Sequence, residues 1–176
     1  MIERVIIAGS GGQGIMLIGK ILAQAAMREG KFVTWLPAYG AEVRGGTAHC
    51  MVVISDSEVG SPHIKKADTI IIMNQSSLAK FKSRLKNNGL LIINSSLAKV
   101  GPDVKAIKHP FTDIAVVLGN VKVANMVALG CYLGNKKIVD VKNILSIIKE
   151  MAPADKKELI QVNQEALYRG MELRNG

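Results

Sequence analysis

Cysteine and long apolar runs are scarce in this sequence, and each scarcity excludes a class of protein. The 176 residues include two cysteines, Cys50 and Cys131, which stand far apart and form no C-x-x-C pair, so neither a zinc nor an iron–sulfur ligand set is expected. The apolar runs are too short to cross a bilayer. Residues 1–4 lead directly into a strand-like segment, with no secretory signal before it. We therefore expect reduced core thiols in a cytoplasmic protein that does not contact a membrane.

Histidine is equally sparse. His49, His63 and His109 show no spacing typical of a metal site or of a nucleophile–base pair. His49 lies in a strand-like segment and His109 precedes a proline, which favours structural roles for both. We expect no metal site and no self-sufficient catalytic set.

Aromatic side chains make up 4% of the sequence against 48% apolar residues, which predicts an aliphatic core. Fully apolar segments such as residues 69–73 and 90–93 are typical of a buried parallel sheet. Strand-like and helix-like segments alternate along the chain. We predict one α/β domain over residues 1–176. It is Rossmann-like and doubly wound, with a mainly parallel sheet, helices on both faces and a helical C-terminal part.

The boundaries of the predicted elements follow from hydrophobic periodicity and from turn residues. Gly30 and Asn87–Gly89 are interpreted as helix stops, and Asp155 as the N-cap of the last helix. Helices are predicted at residues 14–28, 76–86, 121–133, 141–151 and 156–172. Strands are predicted at residues 4–8, 32–36, 48–55, 69–73 and 90–93, with a short edge strand at 104–107.

The net charge of +9 is unevenly placed. Residues 65–176 hold 18 Lys and Arg against 9 Asp and Glu, whereas residues 1–64 hold 5 of each sign. The dense run Lys80–Lys86 has helical spacing and is interpreted mainly as a solvated face. A basic surface attracts acidic partners or phosphate-rich cofactors. Nucleic acid is not expected, because no recognition motif and few aromatic residues accompany the charge.

A glycine-rich pattern, G-S-G-G-Q-G, runs from Gly9 to Gly14 between two apolar segments, residues 5–8 and 15–18. A turn of this kind between a strand and a helix brings backbone N–H groups to the helix N-terminus, where they can hold a phosphate. The alternative is a tight turn that binds nothing. The candidate ligand-binding residues of the turn are Gly9, Ser10, Gly11, Gly12, Gln13 and Gly14.

Individual positions of the turn have different expected roles. We expect the backbone at Gly11 and Gly12 to approach the ligand closely, and Gly14 to allow close packing of helix on strand. We expect the side-chain amide of Gln13 to donate a hydrogen bond at the mouth of the cleft.

The second strand lacks the carboxylate that a dinucleotide site requires. A Rossmann site places an Asp or Glu at the end of that strand to bind the ribose hydroxyls. Here the predicted strand at residues 32–36 continues into Pro37–Gly40, and no carboxylate appears before Glu42. The sequence therefore favours a phosphate-bearing ligand other than NAD.

Three further segments follow predicted strands at the edge where ligands of parallel sheets bind. Asn74, Gln75 and Ser76 form one of them and are candidate binding residues, as Asn94–Ser96 would be after the next strand. Turn and cap chemistry explains Asn74 and Asn94 equally well.

The other segment spans residues 37–46 and supplies the candidates Tyr39, Glu42, Arg44 and Gly45. Arg44 can grip a phosphate or carboxylate through two N–H groups, and Glu42 can orient Arg44 or accept a proton. A surface ion pair between these two side chains is the alternative.

Several motifs taken together resemble one family. They are G-S-G-G-Q-G-I from Gly9, P-A-Y-G-A-E-V-R-G-G-T-A from Pro37, V-V-I-S-D, S-P-H-I, A-D-T-I-I-I-M-N and G-N-V-K-V-A-N-M-V-A-L-G. In this order they are similar to the gamma subunit of 2-oxoacid:ferredoxin oxidoreductases over nearly the whole chain. The Y-G-A-E-V-R form resembles the 2-oxoglutarate and 2-oxoisovalerate branch.

The resemblance implies oxidative decarboxylation of a 2-oxoacid to an acyl-CoA with reduction of ferredoxin. It implies that this chain helps to bind coenzyme A and to close the active site, without activity of its own. Thiamine diphosphate and iron–sulfur clusters would belong to alpha, beta and ferredoxin-type delta partner subunits, and the isolated chain would hide its partner surface by self-association. A non-catalytic scaffold subunit and a stand-alone NAD(P)- or nucleotide-binding protein remain as alternatives.

Overall fold

The sheet is the frame on which the candidate site is built. A computed structural model describes residues 1–38, 47–153 and 157–173 of the chain. In this part of the chain one six-stranded sheet has the order β2–β3–β1–β4–β5–β6. The strands are β1 (Ile2–Gly9), β2 (Phe32–Ala38), β3 (Ala48–Ser55), β4 (Ala67–Ile72), β5 (Leu85–Asn94) and β6 (Ile107–His109).

Strand β3 runs against the rest of the sheet. It pairs antiparallel with both β1 and β2, whereas β1–β4, β4–β5 and β5–β6 are parallel pairs. The chain joins β2 to β3 through residues 39–47. That connection is too short for the helical crossover of about a dozen or more residues that a parallel pair requires. The prediction of a mainly parallel sheet is confirmed, with β3 as its reversed member.

Helices cover both faces, as predicted. On one face, side chains such as Val5 and Ile7 share one hydrophobic core with residues of α1 (Ile15–Arg28), α3 (Phe111–Val117), α4 (Ala124–Asn135), α5 (Val141–Met151) and α6 (Lys157–Met171). On the other face, Ile6 and Ala8 pack with Leu78 and Phe81 of α2 (Gln75–Phe81). Alternate residues of β1 thus enter opposite cores, which explains the continuous apolar run.

The predicted helix at residues 76–86 is too long. Helix α2 ends at Phe81, a 3-10 turn follows at Lys82–Arg84, and β5 already begins at Leu85. Asn87–Gly89, predicted as a helix stop, forms a bulge in β5, because Ala67 pairs with Leu85 and Thr69 with Leu90. The pairing of β5 with β4 overrides the local turn signal.

Smaller differences concern other boundaries. The edge strand lies at Ile107–His109 rather than at residues 104–107. Residues 121–123 of the predicted helix at 121–133 form a 3-10 turn before α4. Helix α3 was not predicted, and Asp155, predicted as an N-cap, lies outside the described residues.

A buried carboxylate ties the start of the sheet to the end of α4. Glu3, whose side chain is 6% exposed, accepts hydrogen bonds from Lys136 at 2.8 and 2.9 Å and from Thr69 at 2.6 Å. The hydroxyl of Tyr132 lies 3.5 Å from the same carboxylate. Burial, reinforced by the negative charge of Glu3, raises the pKa of Tyr132 well above its ordinary value.

Candidate functional site

The strand ends that the sequence predicts to converge do meet at one edge of the sheet. Strands β1, β2, β4 and β5 run in the same direction, and their pairing register brings Gly9, Ala38, Ile72 and Ile93 to this edge. Helices α1 and α2 begin here, directly after β1 and β4. Helix α4 begins here as well, since Asn125 in its first turn donates to the carbonyl of Gly14 at 3.2 Å.

The glycine turn, residues 10–14, is held together by the side chain of Gln13. The Gln13 Oε1 atom accepts from the N–H of Ser10 at 2.7 Å, and Nε2 donates to the carbonyl of Met73 at 3.2 Å. The N–H of Gln13 donates back to the carbonyl of Ser10 at 3.3 Å. Gln13 therefore braces the turn against β4. One N–H of its amide remains for the ligand contact that the sequence predicts.

The glycines of the turn differ in what surrounds them. A Cβ atom added at Gly11 or Gly12 would meet nothing within 4 Å, and the φ angle of Gly12 is +84°. Gly14 has φ +68°, and a Cβ atom there would lie 2.1 Å from Nδ2 of Asn125. The close contact at Gly14 is therefore between α1 and α4, not between a helix and a strand as predicted. Open space at Gly11 and Gly12 leaves their backbone accessible to a ligand.

Two clefts border the glycine turn, and Gly12 lines both. The larger cleft has a volume of about 460 Å³ and is lined also by Gly11, Leu17, Ala38 and Ala48. The smaller cleft, of about 160 Å³, lies between the turn and the start of α4, and its wall includes Gln13, Met73, Leu97, Thr112, Val121 and Lys122. Among the residues described, Lys122 is the charged side chain that lines these clefts, and no carboxylate does.

A larger cavity of about 590 Å³ lies at the opposite edge of the sheet. It is lined by residues at the C-terminal ends of α1 and α4, where the helix dipoles place partial negative charge. Glu29, Asp140 and Glu172 add carboxylates to this wall, whereas Lys137 and the N-terminus of α5 add positive charge. This mixed wall differs from the two clefts at the glycine turn, whose described walls carry no carboxylate.

The candidates that follow β4 have partners within the chain. The Asn74 Oδ1 atom accepts from the N–H of Ser77 at 2.9 Å and caps α2. Gln75 accepts from the N–H of Lys99 at 2.7 Å, and Ser76 is exposed. Asn74 thus performs the cap chemistry that the sequence offered as an alternative to ligand binding.

Tyr39, Glu42, Arg44 and Gly45 lie outside the described residues. The described residues Ala38 and Ala48, which precede and follow this segment in sequence, line the larger cleft.

Asn94 is buried beside the smaller cleft. Its Nδ2 atom donates to Oγ1 of Thr112 at 2.8 Å and lies 3.4 Å from the carbonyl of Met73. Its Oδ1 atom accepts from the N–H groups of Ser96 and Thr112, each at 3.3 Å. Asn94 therefore positions the start of α3 and the Thr112 hydroxyl.

The described residues include neither a reactive thiol nor a metal-binding cluster. Cys50 and Cys131 are free and buried, as predicted, and burial raises the pKa of each thiol to about 12, so neither is a thiolate nucleophile at neutral pH. In the described ranges, no cluster of three or more His, Cys, Asp or Glu side chains is placed to hold a metal ion. None of the described helices is long and apolar enough to cross a membrane.

Sequence reasoning missed three residues at the site, Thr112, Lys122 and Asn125. They lie about 100 residues or more after the glycine turn, and the fold alone brings them beside it. The lysine at the start of a helix rich in small residues is the local signal that could have drawn attention to Lys122.

Comparisons with known proteins all point to the same protein family. Residues 4–173 match the sequence profile of the pyruvate ferredoxin/flavodoxin oxidoreductase family. The ketoisovalerate oxidoreductase subunit VorA of Methanothermobacter thermautotrophicus is 39% identical over 171 residues, which cover 96% of this chain and 36% of VorA. The 2-oxoglutarate synthase subunit KorC of the same organism is 33% identical over 177 residues, covering 95% of this chain and 92% of KorC. The chain thus spans about a third of the length of the VorA proteins that it matches.

Solved structures share the fold. The gamma subunit of a keto/oxoacid ferredoxin oxidoreductase from Geobacter sulfurreducens superposes with a TM-score of 0.83 at 28% identity, covering 97% of this chain and 96% of that subunit. The 2-oxoglutarate:ferredoxin oxidoreductase of Magnetococcus marinus, determined with 2-oxoglutarate, coenzyme A and succinyl-CoA bound, gives a TM-score of 0.87 at 23% identity. That match covers 98% of this chain and 31% of the larger one and supports the fold alone.

The profile match spans nearly the whole chain, and the superposition covers the whole length of a gamma subunit. Both confirm the resemblance that the motifs around the glycine turn indicate. This chain belongs to the pyruvate ferredoxin/flavodoxin oxidoreductase family.

Proposed function

We propose that this chain is the gamma subunit of a CoA-dependent 2-oxoacid:ferredoxin oxidoreductase and that it binds coenzyme A at the glycine turn. The observation that carries the proposal is the pair of clefts that meet at Gly12, at the edge where α1 and α4 begin. Partial positive charge at the two helix N-termini favours an anion there. Within the described residues the backbone N–H groups of Gly11 and Gly12 make no hydrogen bond, so they are available to phosphate oxygens.

Coenzyme A also explains the missing ribose carboxylate. Its 3′-hydroxyl is phosphorylated, so an acid placed at the end of β2 would repel the ligand instead of binding a diol. The described part of β2 ends in Pro37 and Ala38, and the wall of the larger cleft there carries no carboxylate. With a volume of about 460 Å³, this cleft falls within the usual size range of cofactor pockets.

In the proposed reaction the 2-oxoacid loses CO₂, its acyl group is transferred to the CoA thiol, and the electrons released reduce ferredoxin. Thiamine diphosphate and iron–sulfur clusters in alpha, beta and delta partner subunits would supply the decarboxylation and electron transfer. This chain would hold CoA and close over the active site, and Arg44 would grip a phosphate or carboxylate with Glu42 orienting it. The relatives are named for ketoisovalerate, 2-oxoglutarate and pyruvate. We propose a 2-oxoacid of the ketoisovalerate or 2-oxoglutarate type, because the Y-G-A-E-V-R motif resembles that branch.

An exposed apolar surface beside the smaller cleft supports a subunit role. Leu97 and Val121 line that cleft and are 45% and 54% exposed, and Val116 and Val117 are 58% and 86% exposed. Clusters of exposed apolar side chains mark interaction sites. We expect partner subunits to cover this surface, and the pure chain to self-associate in their absence.

Calorimetric titration of the full chain with coenzyme A tests the proposal. We expect saturable binding that Gly11→Val weakens at least about tenfold, because the new side chain fills the approach to the turn without strain in the backbone. Gly60→Val is the matched control, since Gly60 is exposed, has open space around it and lies away from both clefts. A chain that assembles with its partners but binds no CoA would be the scaffold subunit instead. Redox turnover by the chain alone would contradict the assignment to a dependent subunit.

A further inference from the structure

The smaller cleft has a lysine and a threonine hydroxyl in its wall. Resting on the proposed function, we infer that Lys122 and Thr112 form a subsite for a phosphate group, on the side of the glycine turn that faces β4 and β5. Lys122, Thr112 and Gly12 all line this cleft. The subsite would hold one phosphate of the ligand whose main body occupies the larger cleft.

Two acceptors in the wall of the smaller cleft, the Met73 carbonyl and the Thr112 hydroxyl oxygen, already have partners. The carbonyl of Met73 accepts from Nε2 of Gln13 at 3.2 Å and lies 3.4 Å from Nδ2 of Asn94. The Oγ1 atom of Thr112 accepts from Asn94 at 2.8 Å, which leaves the threonine hydroxyl hydrogen to donate. The hydroxyl hydrogen of Thr112 and the ammonium group of Lys122 are therefore donors that the wall of the cleft can offer to a ligand. This polarity fits an oxyanion and disfavours a cation or an amine.

Lys122 supplies the positive charge. Its backbone N–H donates to Oδ1 of Asn120 at 3.0 Å, which fixes the turn that leads into α4. Within the described residues its ammonium group makes no hydrogen bond and no ion pair. Three other lysines each pair with a carboxylate: Lys31, Lys86 and Lys136. None of the described residues neutralises the charge of Lys122, and a phosphate would be its partner.

The size of the cleft limits what enters it. Its volume of about 160 Å³ is roughly a third of the 460 Å³ of the larger cleft, so we assign the smaller group of the ligand, a phosphate, to it. Gly12 separates this cleft from the larger one and carries no side chain, with open space where a Cβ atom would stand. A ligand lying across Gly12 can therefore place its body in the larger cleft and one phosphate beside Lys122.

Coenzyme A has two phosphate-containing groups that could occupy this subsite, the pyrophosphate bridge and the 3′-phosphate. Dephospho-CoA lacks the 3′-phosphate and keeps the bridge. If Lys122 holds the 3′-phosphate, Lys122→Gln weakens the binding of CoA and leaves that of dephospho-CoA unchanged. If Lys122 holds the bridge, the variant weakens the binding of both compounds equally.

The subsite itself can be tested without coenzyme A. Titration of the ¹⁵N-labelled full chain with inorganic pyrophosphate should shift the amide signals of Gly12, Thr112 and Lys122 in a saturable way. We expect Lys122→Gln to raise the apparent Kd about tenfold, the usual scale for one charged hydrogen bond. Lys149→Gln, which removes an exposed lysine on α5 remote from the clefts, should leave the apparent Kd unchanged.

The outcomes separate the subsite from the proposed function. Saturable pyrophosphate binding that depends on Lys122, in a chain that does not bind CoA, would support the subsite and contradict CoA as the ligand. CoA binding that Lys122→Gln leaves unchanged, for both CoA and dephospho-CoA, would overturn the subsite and keep the proposed function. Pyrophosphate shifts that are absent at these three amides, or equal in Lys122→Gln and wild type, would also overturn the subsite.

Discussion

Replacing Gly14 with alanine should destabilise the fold by about 4–7 kcal/mol. The φ angle of +68° costs an L-residue roughly 1–2 kcal/mol. The new Cβ atom would lie 2.1 Å from Nδ2 of Asn125, a side chain that is 3% exposed. Moving Asn125 breaks its hydrogen bonds to the carbonyl of Gly14 and the N–H of Met126, each worth about 1 kcal/mol. Overpacking of the buried contact adds about 1–3 kcal/mol.

Two neighbouring glycines separate these contributions. Gly12→Ala places an L-residue at a φ of +84°, which is unfavourable, with open space around the new Cβ atom. We therefore expect the free energy of unfolding to fall by about 1–2 kcal/mol. Gly11→Ala introduces neither strain nor a contact, and its effect should lie within about 0.5 kcal/mol of wild type. The difference between the variants at Gly14 and Gly12 therefore measures the contact between α1 and α4.

Urea unfolding followed by circular dichroism gives the three free energies, provided that the slopes of the transitions agree. A Gly14→Ala variant that loses no more stability than Gly12→Ala would refute the reasoning. It would mean that Asn125 moves aside at no cost and that α4 is not held against the glycine turn.

Two further predictions concern ion pairs at the amino edge of the sheet. Lys136→Met leaves the buried Glu3 without its cation and should lower the free energy of unfolding by about 3 kcal/mol. We expect its thermal unfolding transition at a lower temperature than that of the exposed control Lys137→Met. Equal transition temperatures would contradict this prediction. Hydrogen bonds from Lys31 and from the N-terminal amine lower the pKa of Asp56 to about 2. The ionised carboxylate therefore stabilises the fold at pH values above its unfolded pKa of about 3.9, and this stabilisation is lost as the pH falls through about 2. The stability difference between wild type and Asp56→Asn should therefore shrink from pH 5 to pH 2, and a difference that stays constant over this range would show that the pairing contributes nothing.

Much of the fold could be predicted because its signals are local. Helix α5 and strand β3 have the predicted boundaries, since periodic or continuous apolar residues end there at polar ones. The segment Asn87–Gly89 shows where local signals fail. Its residues have turn chemistry and do form an irregular stretch, but the pairing of Leu85 with Ala67 places that stretch inside a strand. A register set by residues far apart in sequence has no local signature.

The candidate site could be predicted only in part, for the same reason. The glycine turn is contiguous in sequence and has a mechanism attached to its spacing. Lys122 and Thr112 join it only because α3 and α4 begin at the same edge of the sheet. The occupied acceptors around Asn94 could not be predicted either, because hydrogen-bond partners depend on side-chain positions that a sequence does not contain.

The reversal of β3 affects how enzymes of this family can diverge. Because β3 runs against its neighbours, the chain between Ala38 and Ala48 leaves and re-enters the sheet at the edge of the glycine turn. Ala38 and Ala48 both line the larger cleft, so the length of the chain between them can change without altering the helices that pack on the two faces of the sheet. A parallel arrangement would have required a crossover of about a dozen or more residues and tied such a change to the core. The antiparallel strand thus allows relatives to differ between β2 and β3 while the rest of the sheet keeps its packing.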